Sequence, residues 1–231
     1  MDLNGFDYLT FDCYGTLIDW ESGILAAVHP LLAAHGLTID DERVLSLFAD
    51  IESSVQAERY RPYRQVLAEV VRGFGNSLGF KPSEQECESL AESVGSWSPF
   101  DDTVEALKAL KRRYGLAVIS NIDDDLFAES ARRLGVEFDE VVTAQQVGSY
   151  KPSHENFLAA FERLGRGPDR ILHVAQSLFH DIGPARELGL PCVWVNRRAG
   201  RGGSGATAHA RAEPDLEVPD LESLTVLMGL D

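Results

Sequence analysis

The sequence has few cysteines, no long apolar run and no basic leader, and each absence excludes a class of protein. The three cysteines, Cys13, Cys87 and Cys192, are odd in number and lack metal-ligand spacing, so neither a disulfide framework nor a zinc site is predicted. No apolar stretch approaches the roughly 20 residues of a membrane helix. The first residues lack the basic and apolar regions of a signal peptide. We therefore expect a cytoplasmic protein.

Basic residues are also scarce. Lysine and arginine together number 21 against 37 acidic residues, which gives 231 residues a net charge of -16. This charge repels nucleic acid and anionic membrane surfaces, so we expect neither as a partner. It does not exclude a small anionic substrate, because one lysine or arginine reverses the field inside a pocket. Whether the chain forms a homodimer is left open.

Hydrophobic patterns predict short buried strands that alternate with helices. The strands are predicted at 7–12, 116–119, 140–143, 171–175 and 192–195, and the helices at 102–113, 126–134, 156–164 and 182–188. Such alternation indicates an α/β fold, a Rossmann-like parallel sheet with right-handed crossovers. The stretch 197–214, rich in Gly, Ala and Arg, is predicted to be a flexible loop, with a substrate lid as the alternative.

The stretch between the first two strands has a different character. Apolar residues recur at helical spacing from about residue 20 to residue 95, and no alternating run interrupts them. We therefore predict an all-helical domain at 17–96, inserted into an α/β core domain made of 1–16 and 97–231.

Polar residues capable of chemistry follow the ends of four predicted strands. Parallel strands end at one edge of the sheet, so residues distant in sequence are expected to converge there. Asp12 by itself could be a helix-capping acid, but four consecutive polar strand exits indicate a shared site. These residues are Asp12, Tyr14 and Thr16, then Ser120 and Asn121, then Lys151, and finally Ser177, His180 and Asp181.

Four segments in this order resemble the motifs of the haloacid dehalogenase superfamily. They are Phe11-Asp12-Cys13-Tyr14-Gly15-Thr16-Leu17, Ile119-Ser120-Asn121, Lys151-Pro152 and Asp181. The resemblance covers nearly the whole chain, and it implies that the inserted helices form the family's cap. It also implies that Asp12 is the nucleophile.

Two positions separate the chemistries found in this family. Its phosphatases use Mg²⁺ and an acid two residues after the nucleophile, which protonates the leaving oxygen. Here that position is Tyr14, and Gln176 stands where a further metal carboxylate is usual. Asp12 and Asp181 alone make a poor Mg²⁺ site. We therefore expect no metal and no other cofactor, and phosphoryl transfer is disfavoured.

A carboxylate beside a lysine suits attack on an sp³ carbon, followed by hydrolysis of the resulting ester by water. The resemblance assigns attack to Asp12, its ionisation to Lys151, orientation of water to Asp181 and a bracing bond to Thr16. Further residues are expected to bind a small 2-substituted carboxylate. They are Tyr14, Asp19, Trp20, Ser120, Asn121, Ser177 and His180.

The pattern resembles the 2-haloacid dehalogenase branch and, within it, the L-azetidine-2-carboxylate hydrolases, which open a strained ring. Dehalogenases use a cap arginine, yet none aligns: Arg59, Arg61 and Arg64 lie nearby, and Ser54 takes the expected place. Leu178 replaces an asparagine that holds water. For a nitrogen leaving group, proton transfer would fall to Asp19, Tyr14 or His180, beside an apolar wall at Trp20. Both chemistries stay open, with a Mg²⁺-dependent phosphatase and a non-catalytic binding module as further alternatives.

Overall fold

The framework of the protein is a six-stranded parallel sheet, seen in a computed structural model that describes residues 3–200 and 205–230. Its order is β3-β2-β1-β4-β5-β6, with β1 in the interior. This confirms the predicted α/β class with a parallel sheet. The strands are β1 (Tyr8–Phe11), β2 (Gly115–Ser120), β3 (Glu140–Thr143), β4 (Ile171–Ala175), β5 (Cys192–Val195) and β6 (Leu216–Val218).

Ten α-helices accompany the sheet in the described part of the chain. Five lie between β1 and β2, and five lie after β2. Among the described residues, no helix is both long and apolar enough to cross a bilayer. The helices are α1 (Trp20–Ala34), α2 (Asp41–Gln56), α3 (Tyr63–Leu78), α4 (Glu84–Ser93), α5 (Thr103–Lys111), α6 (Asp124–Leu134), α7 (Ala144–Val147), α8 (Glu155–Leu164), α9 (Gly183–Glu187) and α10 (Leu221–Leu227).

The predictions differ from the structure mainly near the C-terminus. The sixth strand, β6, was not predicted because it has only three residues, too few for an alternating pattern to show. The described part of the predicted loop 197–214 contains turns and no helix or strand, while residues 201–204 lie outside the description. The helix predicted at 182–188 is preceded by a single π-helical turn, Leu178–Ile182, a feature that is frequent at functional sites.

The helices α1 to α4 bury one face each. In α3, for example, Val66, Leu67, Val70 and Phe74 are fully buried, as the spacing of three and four residues predicts. The chain enters and leaves this helical segment at adjacent points. Asp19 donates its backbone N–H to the carbonyl of Ser98 at 2.8 Å. The division into two domains at 17 and 96 stays a prediction.

The start of α3 is held by a side chain from outside the helical segment. Pro62 precedes the helix and offers no capping side chain, so the first backbone N–H groups need an outside acceptor. Asp123, at the start of α6, supplies it: Oδ1 accepts from the N–H of Tyr63 at 2.8 Å, and Oδ2 accepts from the N–H of Arg64 at 2.9 Å. Asp123 thereby fixes α3 against the end of β2.

We expect Asp123→Ala to lower the free energy of unfolding by about 1–2 kcal/mol, because it removes this cap. Urea denaturation measures the loss, and hydrogen exchange of the Tyr63 and Arg64 amides should accelerate. Asp40→Ala, which removes the cap of α2, is the control and should leave those two amides protected. Unchanged exchange at Tyr63 in Asp123→Ala would contradict the assignment.

Candidate active site

The ends of β1, β2 and β4 open into a small cavity of about 40 Å³. Helices α1, α2 and α3 supply its other wall. Most residues expected at the site therefore do converge, as the parallel topology requires. The lining consists of Asp12, Tyr14, Trp20, Glu52, Gln56, Tyr63, Ser120, Asn121, Lys151, Gln176, Ser177, His180, Asp181 and Thr207.

The centre of the site is one buried ammonium shared by two carboxylates. Lys151 is only 1% exposed. Its Nζ donates to Asp12 Oδ1 at 2.9 Å, to Asp181 Oδ1 at 2.6 Å and to the carbonyl oxygen of Ile119 at 2.7 Å. All three ammonium protons are therefore used within the protein. The group holds both carboxylates in fixed positions and has no donor left for a ligand.

Burial and charge compete in this triad. Burial by itself lowers the pKa of Lys151, but Asp12 and Asp181 together raise it above the ordinary lysine value. Burial raises the pKa of Asp12, and the Asp181 charge adds to this, whereas Lys151 and Thr16 favour the carboxylate. For Asp181 burial is outweighed by Lys151 and His173, so its pKa falls to about 2. Asp181 is thus ionised at every physiological pH.

A buried chain of hydrogen bonds fixes Asp181 from behind. His173 Nε2 lies 3.1 Å from Asp181 Oδ1, and His173 Nδ1 lies 2.9 Å from Thr10 Oγ1. Since an ionised carboxylate only accepts, the imidazole donates from Nε2 to Asp181, and its Nδ1 pairs with the Thr10 hydroxyl. The second oxygen of Asp181, Oδ2, is buried and has no partner among the described residues. Sequence reasoning missed His173, although a histidine inside a buried strand was a usable signal.

Thr16 braces the nucleophile candidate as predicted from the resemblance. Its hydroxyl donates to Asp12 Oδ2 at 2.8 Å, and the N–H of Gln176 donates to the hydroxyl oxygen at 2.9 Å. Because the Gln176 N–H occupies a lone pair of the Thr16 oxygen, the proton of the Thr16 hydroxyl is directed at Asp12. Both oxygens of Asp12 are therefore held, one by Lys151 and one by Thr16.

Ser120 and Asn121 differ in whether their side chains already form hydrogen bonds within the described protein. Asn121 Nδ2 donates to the carbonyl of Lys151 at 3.0 Å, and Asn121 Oδ1 accepts from the Lys151 N–H at 2.7 Å. The amide expected to bind substrate is thus used to position Lys151. The Ser120 hydroxyl is buried and has no partner within residues 3–200 and 205–230. It is the available donor at this strand end.

Four further predicted residues line the cavity: Tyr14, Trp20, Ser177 and His180. Ser177 Oγ accepts from the His180 N–H at 2.8 Å and so begins the π-helical turn. Burial lowers the pKa of His180 to about 4, so its imidazole is neutral near pH 7 and is a poor proton source. The Tyr14 hydroxyl pairs with Ser130 Oγ at 2.8 Å, and burial raises its pKa well above the ordinary value.

Asp19, which is also expected to contact substrate, has its carboxylate engaged at the start of α1, and a contact with substrate stays a prediction. Its carboxylate accepts from the backbone N–H of Ser22 at 3.3 Å and from the Ser22 hydroxyl at 2.6 Å, which is a helix cap at the start of α1. Asp19 is absent from the lining of the Asp12 cavity.

None of the arginines considered for the missing cap position lines the cavity. Arg61 pairs with Glu58 and Arg64 with Asp125, in ion pairs near the surface. Ser54, which takes the expected place in sequence, is exposed. The described lining therefore contains no arginine, and Lys151 is its only lysine.

The helical segment instead supplies a buried acid, Glu52, which sequence reasoning missed. Glu52 is 4% exposed, and its Oε1 accepts from the Tyr63 hydroxyl at 2.5 Å. Burial raises the pKa of Glu52 to about 7, although the hydrogen bond from Tyr63 opposes the shift. Glu52 lies four residues after Phe48, on the face of α2 that buries apolar side chains. An acid at the end of an apolar stripe was therefore the signal available in the sequence.

The side chains around Asp12 do not match a Mg²⁺ site. Mg²⁺ needs oxygen ligands in near-octahedral arrangement. Here Lys151 joins Asp12 to Asp181, and the next candidate, Gln176, is a neutral amide whose Oε1 accepts from Thr207 at 3.3 Å. The described residues contain no group of three or more His, Cys, Asp or Glu that could hold a metal ion.

The fold and this site define a member of the haloacid dehalogenase-like hydrolases. The family model matches residues 6–189, and the chain belongs to this family. It is 28% identical to the (S)-2-haloacid dehalogenase H-109 of Pseudomonas putida, over 94% of this chain and 95% of the relative. It is 39% identical to a glyceraldehyde 3-phosphate phosphatase of Methanothermobacter thermautotrophicus, over 80% of this chain and 84% of that protein.

The solved structures agree on the fold. The L-2-haloacid dehalogenase PA0810 superposes with a TM-score of 0.81 at 25% identity, covering 98% of this chain and 100% of that one. The relatives named here thus include two dehalogenases and one phosphatase, all similar to this chain over most of its length.

Removing the shared ammonium should strongly destabilise the protein. We expect Lys151→Met to lower the free energy of unfolding by about 3–5 kcal/mol, because Asp12 and Asp181 are left buried without a counter-charge. The double variant Lys151→Met/Asp181→Asn should recover part of the loss, since one of the two charges is gone. Urea denaturation measures both; a loss below 1 kcal/mol would contradict the role of the triad.

Glu52 should make stability depend on pH. Its pKa is near the ordinary value of 4.5 when unfolded and about 7 when folded, so the folded state binds the proton more tightly. Stability contributed by this group is full below pH 4.5 and is lost as the pH rises towards 7. We therefore compare the free energy of unfolding of Glu52→Gln with that of wild type at two pH values. The difference should be more favourable to the variant at pH 8 than at pH 5, by up to about 3 kcal/mol.

Denaturant titrations at the two pH values check this difference. Asp50→Asn, which removes an exposed acid from the same helix, is the matched control and should show little change with pH. Equal effects of Glu52→Gln at pH 5 and pH 8 would show that Glu52 titrates normally in the folded protein.

Proposed function

We propose that the protein is a metal-independent hydrolase that breaks a C–X bond at C2 of a small carboxylic acid. The observation that carries this proposal is the clamp on Asp12, in which Lys151 and Thr16 each hold one carboxylate oxygen. A carboxylate held in this way, beside a cavity, is an oriented nucleophile. Tyr14 stands where phosphatases of the family carry an acid.

The reaction has two steps. In the first, Asp12 attacks C2, an oxygen–carbon bond forms, and X leaves with the electrons of the C–X bond. In the second, water adds to the carboxyl carbon of Asp12, the ester C–O bond to that carbon breaks, and the 2-hydroxy acid and Asp12 are released. Asp181 Oδ2, which has no partner among the described residues, is the acceptor proposed to hold that water. The Ser120 hydroxyl is proposed to donate to the substrate carboxylate.

A second candidate shares the nucleophile and differs in the leaving group. It is the ring opening of L-azetidine-2-carboxylate, in which X is the ring nitrogen. The observation in its favour is the composition of the helical wall: within the described lining, Glu52 is present and no arginine is. A leaving halide and a carboxylate are both stabilised by a positively charged side chain, whereas an ammonium is stabilised by an acidic one.

Turnover of two substrates in EDTA tests the proposal. We expect hydrolysis of 2-chloropropionate or of L-azetidine-2-carboxylate without added metal, and Asp12→Asn should reduce either rate by at least about 10⁴-fold because no nucleophile remains. A single turnover in H₂¹⁸O should place the label in Asp12 before it reaches product.

The similarity to a phosphatase indicates which outcome would contradict this proposal. Release of phosphate from sugar phosphates that requires Mg²⁺, together with no turnover of either acid, would show that this proposal is wrong. Label that appears in the first product without entering Asp12 would instead rule out the ester intermediate.

A further inference from the structure

The helical wall of the cavity carries one acid and no cation. Its described members are Trp20 from α1, Glu52 and Gln56 from α2, and Tyr63 from α3. Tyr63 is buried and directs its hydroxyl at Glu52, so the acid is held in one position. The strand-end wall differs, because its charges are already paired with one another through Lys151.

Glu52 has an unused acceptor. Oε1 accepts from Tyr63, while Oε2 has no hydrogen-bond partner among the described residues. A buried carboxylate without a counter-charge is costly, and this cost disappears when a cation binds. Lys151 does not fill this role, because its three protons are given to Asp12, Asp181 and the carbonyl of Ile119. A cation that pairs with ionised Glu52 in this cavity would therefore come from a ligand.

We propose that Glu52, held by Tyr63, is the binding group for a positively charged nitrogen of the substrate. This inference rests on the proposed function and adds a specificity-determining residue to it. The nitrogen is the one attached to C2, and the indole of Trp20 supplies an aromatic surface beside it, which favours a cation. The site thus selects a small acid that carries an ammonium over one that carries a halide.

The reaction balances with this assignment. The substrate enters with a ring ammonium bearing two protons; Asp12 attacks C2, and the electrons of the C–N bond return to nitrogen as a primary amine. Hydrolysis of the ester consumes one water and releases one proton. The amine takes up that proton, so the product leaves as a 2-hydroxy acid with an ammonium, and Glu52 remains the partner of the nitrogen throughout.

The other titratable groups of the cavity do not change their charge between pH 6 and pH 8, so the titration of Glu52 can be followed in this range. Asp181, with a pKa of about 2, and His180, with a pKa of about 4, both titrate well below this range. Burial raises the pKa of Tyr14 and of Tyr63 well above the ordinary value. Lys151 titrates above the ordinary lysine value, and Asp12 is removed by the variant used below.

Binding to a protein that cannot react isolates the subsite. Calorimetry on Asp12→Asn compares L-azetidine-2-carboxylate with cyclobutanecarboxylate, which has the same ring size and carboxylate but no nitrogen. We expect Glu52→Gln to weaken binding of the first by about 10- to 100-fold and of the second by less than about 3-fold. Tyr63→Phe should give a smaller loss in the same direction, and Asp50→Asn, on the exposed face of α2, should change neither.

A pH series adds a readout that a merely structural role would not move. Affinity for azetidine-2-carboxylate should fall as the pH drops from 8 to 6, because Glu52 takes up a proton, and Glu52→Gln should abolish this slope. An unchanged ratio of the two affinities in Glu52→Gln would overturn the subsite.

Turnover with Asp12 present separates that failure from failure of the proposed function. If Glu52→Gln and wild type both hydrolyse azetidine-2-carboxylate equally, the subsite is wrong and the function stands. If wild type hydrolyses neither that acid nor 2-chloropropionate, the function itself is wrong.

Discussion

One buried ammonium, that of Lys151, determines how the rest of the site is built. A lysine that is 1% exposed is stable only if every proton finds an acceptor. Two carboxylates and one carbonyl meet this requirement, and they come from the ends of β1, the π-helical turn after β4, and β2. Satisfying the lysine thus holds three separate strand ends together. The same contacts orient Asp12.

The polar atoms near the triad fall into two groups. The first group forms hydrogen bonds within the protein and so helps to position Asp12, Lys151 or Asp181. Its members are Thr10, His173, Thr16 and Asn121. In contrast, Ser120 Oγ and Asp181 Oδ2 are buried without partners in the described part of the chain. Buried polar groups are rarely left unsatisfied in a stable fold, which supports the proposal that these two atoms bind substrate and water.

Local patterns were enough to predict the sheet and to bring Asp12, Lys151 and Asp181 together. Buried strands of four to six residues are visible as apolar runs, and parallel topology then places their ends side by side. The three-residue β6 lacks such a run. The sequence did not reveal that the carboxylate of Asp19 caps α1. Glu52 and His173 were missed because their partners, Tyr63 and Asp181, become neighbours only through folding.

In the proposed function, reaction type and substrate choice are set by different parts of the chain. The strand ends provide the paired charges that orient Asp12, the proposed nucleophile, and these charges do not depend on which atom leaves C2. The described helical wall provides no second cation, and its acid lies close to the balance between neutral and ionised forms. In a low-dielectric cavity a single charge of either sign outweighs small differences in shape. A change at one position of α2 can thus redirect the substrate while the sheet and its triad stay the same.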